Sequence, residues 1–276
     1  MERRELRAVY QMTHSLASER MHMASPSPVS SSVGPRPLAA TSWLWPGSLG
    51  SNLGRMARWE LPIRQAALLF YQFAPSLAYA EADYAPGRGL DCHAHLPLDL
   101  PWGADPRYLW NILERLMRPP GPLAPWAGVL HPPGDPADLA ALARLWRGRE
   151  PGWRLLIENV PGQDLSAHWP VIREFGLGVC LDVGHLMAFG QDWLLDAPEL
   201  PELVELTHCY APGVVSGSHE HLALNMLTPS QTATLERIVR LLRPNTPVLF
   251  EVFSEIDLRE SLKTFYEFLQ VWGLEP

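Results

Sequence analysis

Residues 153–185 read WRLLIENVPGQDLSAHWPVIREFGLGVCLDVGH. Two short apolar runs, WRLLIEN (153–159) and LGVCLDV (177–183), lie on either side of a Gly/Pro-containing loop and a connecting segment. Such runs are too short for membrane spans and read as strands buried on both faces, as in a parallel sheet. Each carries an acidic residue at its end, Glu158 or Asp182. The same unit recurs outward in both directions: a short strand, a polar or Gly/Pro loop, then a helical pattern. Upstream strands are PLAATSW (37–43), QAALLFY (65–71), LDCHAH (90–95) and WAGVLH (126–131), and downstream ones are LVELTH (203–208) and PVLFEVF (247–253). Between them, PRYLWNILERLM, DPADLAALARLW and TPSQTATLERIVRLL place apolar residues at helical spacing. Asp135 or Asp138 is placed to cap the second of these helices and Thr228 the third.

Eight strands alternating with helices predict an α/β fold, a (β/α)8 TIM barrel. An open doubly wound sheet shares the local pattern, but no GxGxxG follows the first strand, and the count of eight favours closure. Residues 1–35 lack a core pattern and are expected to form an N-terminal extension or an over-called start, with His14 and His22 in it idle. Residues 36–276 form the single catalytic domain.

Composition narrows the function. The chain has 276 residues, 47% of them hydrophobic and 19% charged, which fits a globular protein with a sizeable core. The net charge of −8 and scattered basic residues disfavour a long nucleic-acid footprint. Lys263 is the only lysine, and it sits in the amphipathic ESLKTFYEFLQ segment, so Schiff-base and P-loop chemistry are set aside. No apolar stretch has the roughly 18–20 residues of a membrane span, and a cytoplasmic location is expected. Cys92, Cys180 and Cys209 make no CxxC pair and read as buried free thiols, with Cys209 beside His208 the one alternative ligand.

The polar residues at strand ends carry the chemistry. Six consecutive strands, the third to the eighth, end in His95, His131, Glu158, Asp182, His208 and Glu251. A TIM barrel brings all strand C-termini to one mouth. His185 follows Asp182 in DVGH, while His219 and His221 form HEH. Imidazole nitrogen with carboxylate oxygen suits Zn²⁺ first, then Mn²⁺ or Fe²⁺, and the surplus of ligands suggests two or three ions sharing a carboxylate. Such a centre activates water without a protein nucleophile, and no GxSxG elbow is present.

Taken in order, HLPLDL (95–100), VLHPP (129–133), LLIENV (155–160), CLDVGH (180–185), THCY (207–210), HEHL (219–222) and LFEVF (249–253) resemble the xylose-isomerase-like barrel superfamily. Within it they are similar to the endonuclease IV type, AP endonuclease family 2. The resemblance implies that Glu158 bridges two ions, that Asp182, His208 and Glu251 complete one site, and that His95 and His131 hold a second. His185 and His221 would serve a third, where His219 stands in place of the family's Asp and Glu220 is an alternative carboxylate. Glu158, Asp182 and Glu251 are the expected catalytic carboxylates. The HLPLDLPW run further resembles the cobamide-remodelling phosphodiesterases. This implies hydrolysis of the nucleotide-loop phosphodiester of a cobamide, a small-molecule substrate, to cobinamide phosphate and an α-riboside. The alternative branch, sugar isomerases and epimerases, needs only Glu158, Asp182, His208 and Glu251 around one ion. It usually has an arginine after the third ligand, and CYAPGVVSGS has none. A barrel without activity, acting as a binding module, is the third reading.

Lesser expectations complete the set. Trp102, Trp110, Trp126 and Trp169 are candidates to line an apolar mouth, though such tryptophans more often serve packing. His93 faces the same way as His95 and is a candidate outer partner of a ligand. Asp99 would orient a ligand imidazole or cap a turn, His168 would be a surface residue, and Arg107 and Arg154 are candidates to meet phosphate.

Overall fold

The computed structural model describes residues 36–213 and 220–275. Its strands are β1 (Leu38–Thr41), β2 (Gln65–Leu69), β3 (Asp91–His95), β4 (Ala127–Leu130), β5 (Arg154–Glu158), β6 (Gly178–Asp182), β7 (Val204–Cys209) and β8 (Val248–Phe250). Each pairs in parallel with the next, and β8 closes on β1, so all eight form a closed barrel. The predicted order and closure hold. The proposed N-terminal extension, residues 1–35, and its His14 and His22 lie outside the described residues.

The strands carry two cores, because successive side chains on a strand face opposite ways. Alternate residues such as Ala39, Ala67, Val129, Leu156, Cys180, Leu206 and Leu249 fill the barrel interior. Their neighbours, among them Leu68, Ala94, Leu130, Ile157, Leu181 and Phe250, pack outward against the helices. Cys180 and Cys209 thus belong to different cores, and all three cysteines are buried and free.

The helices start and stop where their sequences direct. Asp105 caps Pro106–Met117 and Asp135 caps Pro136–Arg149, each accepting a first-turn N–H at 2.8 Å with proline at the start. Asp138 lies inside the first turn of the latter helix and is not its cap. Thr228 and Gln231 form a capping box at the start of Pro229–Leu241. The repeat fails once: between β2 and β3 stand only two four-residue helices, Phe73–Ser76 and Glu81–Tyr84, and a 3-10 turn. Among the described residues no helix is long and apolar enough to cross a membrane.

Gly184, in the first turn of the helix Val183–Phe189, is there for room. A Cβ at that position would collide with the ring of Tyr210, which is fully buried behind β7.

Candidate metal centre

In-register pairing fixes the uppermost interior layer. Leu69 pairs with His95, Asp182 with His208, and Glu158 with Cys180. Period-two alternation then carries His95, Glu158, Asp182 and His208 inward from the last or near-last position of their strands, while His131 and Glu251 follow β4 and β8 directly. All six predicted ligands meet at the C-terminal mouth.

Two groups there can hold a metal ion, and they share Glu158. In each, one ligand atom per residue lies within 4.8 Å of the others: His95, His131 and Glu158 in the first, Glu158, Asp182, His208 and Glu251 in the second. The Glu158 carboxylate divides between them. Its Oε2 lies 3.2 Å from His95 Nε2 and 3.4 Å from His131 Nε2, while Oε1 lies 3.2 Å from His208 Nδ1. His208 Nδ1 is also 3.3 Å from Glu251 Oε2 and 3.9 Å from Asp182 Oδ2.

The donors fit a cation. Glu158 Oε2, Asp182 Oδ2 and both ring nitrogens of His208 are buried with no hydrogen-bond partner. Buried charged groups normally find partners, and three carboxylates this close repel one another unless positive charge stands between them. The electrostatics agree. Burial pushes the Glu158 carboxyl up, but the His208 and His131 imidazoles outweigh it and hold the group well below the usual range. Burial and the Glu158 and Glu251 charges push Asp182 well above it. Burial likewise opposes ionisation of Glu251, yet His208 brings it to about 2.

Backbone carbonyls set which nitrogen each of three histidines can offer. Nδ1 of His95 lies 3.1 Å from Leu96 O, that of His185 lies 3.0 Å from Asn159 O, and that of His221 lies 2.8 Å from Glu251 O. A carbonyl only accepts, so Nδ1 carries the proton and Nε2 keeps its lone pair for a ligand. His185 sits 3.2 Å from Asp182 Oδ2, and His221 sits 3.8 Å from Glu251 Oε2 and stacks on Tyr210. Both line the cavity, although neither belongs to the two groups above. His219 lies outside the described residues. Glu220 is exposed and not a lining residue.

A buried amide clamp holds the second group in place, which sequence reasoning missed. Asn159 Nδ2 donates to Asp182 O at 2.9 Å and to Gln191 Oε1 at 2.7 Å, and Asp182 N donates to Asn159 Oδ1 at 2.8 Å. Gln191 Nε2 returns to Val160 O, and Asp182 Oδ1 accepts from His185 N at 2.6 Å. The Asn next to Glu158, in LLIENV, is the one sequence signal for it.

Several lesser expectations are corrected. Trp110 is buried and stacks on Trp153, Trp126 packs inside the barrel near His93, and Trp169 is buried against Trp193. Trp102 packs on the outer core, so none of the four lines the mouth cavity. Asp99 accepts from Phe73 N at 2.8 Å, tying its loop to the start of the short helix Phe73–Ser76 and not to a ligand imidazole. His168 is buried at the start of the helix Trp169–Phe175, because Trp169 and Ile172 anchor that turn in the core. Arg154 lies at the opposite end of the barrel on Glu205, and Arg107 is exposed away from the cavity. His93 is fully buried, and burial with the nearby imidazoles of His208 and His95 lowers it to about 3. The mouth itself is a cavity of about 460 Å³ whose other wall is Trp43, Tyr71, Leu98 and Phe253.

No family model matches the chain, and no curated protein matches it in sequence. Solved structures match its fold. A xylose isomerase-like TIM barrel protein from Mycobacterium smegmatis in complex with magnesium is 11% identical, with a TM-score of 0.60 over 86% of this chain and 97% of its own. The AsfvAP:AG structure is 14% identical, with a TM-score of 0.58 over 87% and 99%. D-psicose 3-epimerase in the presence of D-fructose is 14% identical, with a TM-score of 0.56 over 86% and 99%. A sugar phosphate isomerase/epimerase and L-ribulose 3-epimerase also match, as does the TTHB071 protein of Thermus thermophilus soaked with ZnCl2. At these identities the likeness establishes the (β/α)8 barrel fold alone, one that xylose isomerase-like proteins share. Sugar epimerases recur among these neighbours, and none of their names mentions a cobamide.

Proposed function

We propose that this protein is a metal-dependent phosphodiesterase acting on a small molecule, with a cobamide as the substrate that the sequence resemblance favours. One observation supports the reading: two ligand groups share Glu158, and together they offer donors enough for two ions. His95 and His131 with Glu158 would hold one, and Asp182, His208 and Glu251 with Glu158 the other. Divalent ions at such a pair of sites supply Lewis acidity and make a water acidic enough to attack at neutral pH. The chain's own part is positional. Glu158 orients both groups, the Asn159 clamp fixes Asp182, and Glu251 and Asp182 present oxygens that can take a proton from the attacking water. Water adds at phosphorus, the bond from phosphorus to the riboside oxygen breaks, and that oxygen leaves with a proton. Among the described residues no Lys or Arg lines the cavity, which supports one phosphodiester over a polyanion.

A second reading has its own support. The neighbours named above lean toward sugar isomerases and epimerases, and Glu158, Asp182, His208 and Glu251 alone suffice for one ion. In that case His95 and His131 would contact substrate and not metal.

Metal content separates the two. The phosphodiesterase reading expects more than one equivalent of bound Zn, Mn or Fe. His131→Ala should lose about one equivalent and most of the activity, through the lost site. One equivalent in both proteins favours the epimerase. Incubation with adenosylcobalamin should release cobinamide phosphate, and no turnover of any cobamide by the metal-replete protein overturns the substrate.

A further inference from the structure

The mouth is two-faced. One side is the ligand cluster; the other is apolar and open to solvent. Trp43, Tyr71, Leu98 and Phe253 are 44%, 59%, 44% and 45% exposed. They are four of the eight exposed large apolar side chains among the described residues, and all four line the one cavity that holds the ligands. Apolar side chains scattered singly over a surface need no explanation, but a patch gathered at the rim of a site does.

The wall is built, not incidental. Trp43, Tyr71 and Phe253 each stand just past the end of a strand, so the barrel fixes their backbones. Thr41 Oγ1 donates to Val252 O at 3.1 Å, Ser42 Oγ accepts from Leu69 N at 3.2 Å, and Leu98 N donates to Tyr71 O at 3.2 Å. The Trp43 and Tyr71 rings lie 6.1 Å apart at 38°. Phe253 packs 5.0 Å from His221, at the edge of the ligand cluster. Apart from the ligand residues, the only polar side-chain groups on this wall among the described residues are the Tyr71 hydroxyl and the Trp43 indole N–H.

We propose that Trp43, Tyr71, Leu98 and Phe253 form a subsite for a flat aromatic group of the substrate, carried beside the group that the ligand cluster takes. A polyhydroxylated chain needs hydrogen-bond partners along its length, and this wall offers nearly none. An aromatic ring needs area and ring faces, which the wall supplies. Continuity with the ligand cluster makes the occupant part of the substrate. The proposal deepens the phosphodiesterase reading by naming what lies next to the phosphoryl group.

Calorimetry on the metal-loaded protein tests it with phenylphosphonate and methylphosphonate, which share an anion and differ in the ring. Phenylphosphonate should bind at least about tenfold tighter, equivalent to roughly 1.4 kcal/mol. In a Trp43→Ser, Tyr71→Ser double variant the difference should fall to about twofold with methylphosphonate unchanged, and Trp43→Phe, Tyr71→Phe should restore it. Both residues are half-exposed, so an unchanged melting temperature is expected and confirms the fold. Equal affinities in the wild type, or a preference that survives the double variant, overturn the subsite. If neither phosphonate binds, it is the phosphoryl reading that fails, and a neutral ring decides the subsite. Saturation-transfer NMR with benzyl alcohol should then give a signal that the double variant loses, and no signal in the wild type overturns the proposal.

Discussion

The two ends of the barrel treat charge in opposite ways. At the N-terminal ends of the strands, Arg154 on β5 meets Glu205 on β7 through Nε and Nη2 at 2.5–3.0 Å, and Nη2 also donates to Gly176 O. Each charge of this pair has its opposite beside it. At the C-terminal ends, Glu158, Asp182 and Glu251 converge in a buried space, where Glu158 Oε2, Asp182 Oδ2 and both His208 nitrogens lack a hydrogen-bond partner. The paired end is accounted for by folding alone. The unpaired end opposes folding, since buried like charges are costly, and it becomes intelligible when a cation supplies the missing partner. A barrel keeps such groups at its C-terminal mouth because all eight strands end there.

The largest test of that contrast is Glu158→Gln. It removes the one carboxylate common to both ligand groups. Bound metal should fall below one equivalent by elemental analysis, and turnover by about a thousandfold or more, as when a charge-stabilising group is removed from an active site. In metal-free protein Asp182→Asn should leave the melting temperature at neutral pH unchanged or higher, because burial and the Glu158 and Glu251 charges push the Asp182 carboxyl well above its usual range. A lower melting temperature without metal would show that the carboxylate is a structural partner after all, and the contrast between the ends would collapse.

How much of this was legible in the sequence follows from the same contrast. The ligands were readable because polarity at the end of an apolar strand is anomalous; six such anomalies in consecutive strands had to share a mouth once the barrel closed. Trp43, Tyr71 and Phe253 are the last residues of the apolar runs PLAATSW, QAALLFY and PVLFEVF. They carry no sequence signal, because an apolar residue at the end of an apolar run is no anomaly. Arg154 misled for a related reason. It begins its strand, and only the direction of β5 tells that a strand's first residue lies at the far end from the chemistry. The clamp of Asn159 and Gln191 joins residues 32 positions apart, and nothing local in either segment announces it.

Between the two ends lies His93, whose ring nitrogens both lack hydrogen-bond partners inside the barrel. Burial, followed by His208 and His95, holds it at about 3, below the ordinary imidazole value of 6.5. The unfolded chain therefore binds a proton that the folded one refuses between those values. Stability is complete above pH 6.5 and declines as the pH falls toward 3. His93→Leu removes this one contribution. Relative to wild type at equal metal content, the variant should gain about 2 kcal/mol on moving from neutral pH to pH 5, measured by denaturant unfolding. A constant difference across that range would mean that His93 is protonated in the folded barrel or reaches water there.

Arg154→Ala should have the smallest effect and is the most diagnostic for the independence of the two ends. Its pair with Glu205 is partly exposed, 41% on one side chain and 21% on the other, so solvent screens much of the attraction. The loss should be about 1 kcal/mol, or roughly 2–4 °C in melting temperature for a domain of this size. Metal content and turnover should not change, because the interior between the ends is packed with apolar Leu156, Leu206 and Leu249 and with buried Cys180. Should the variant keep its stability yet lose a metal equivalent, charge at the N-terminal end would be acting on the mouth through the barrel. The division between a paired end for folding and an unpaired end for chemistry would then have to be redrawn. An unchanged metal content beside a small thermal shift keeps it.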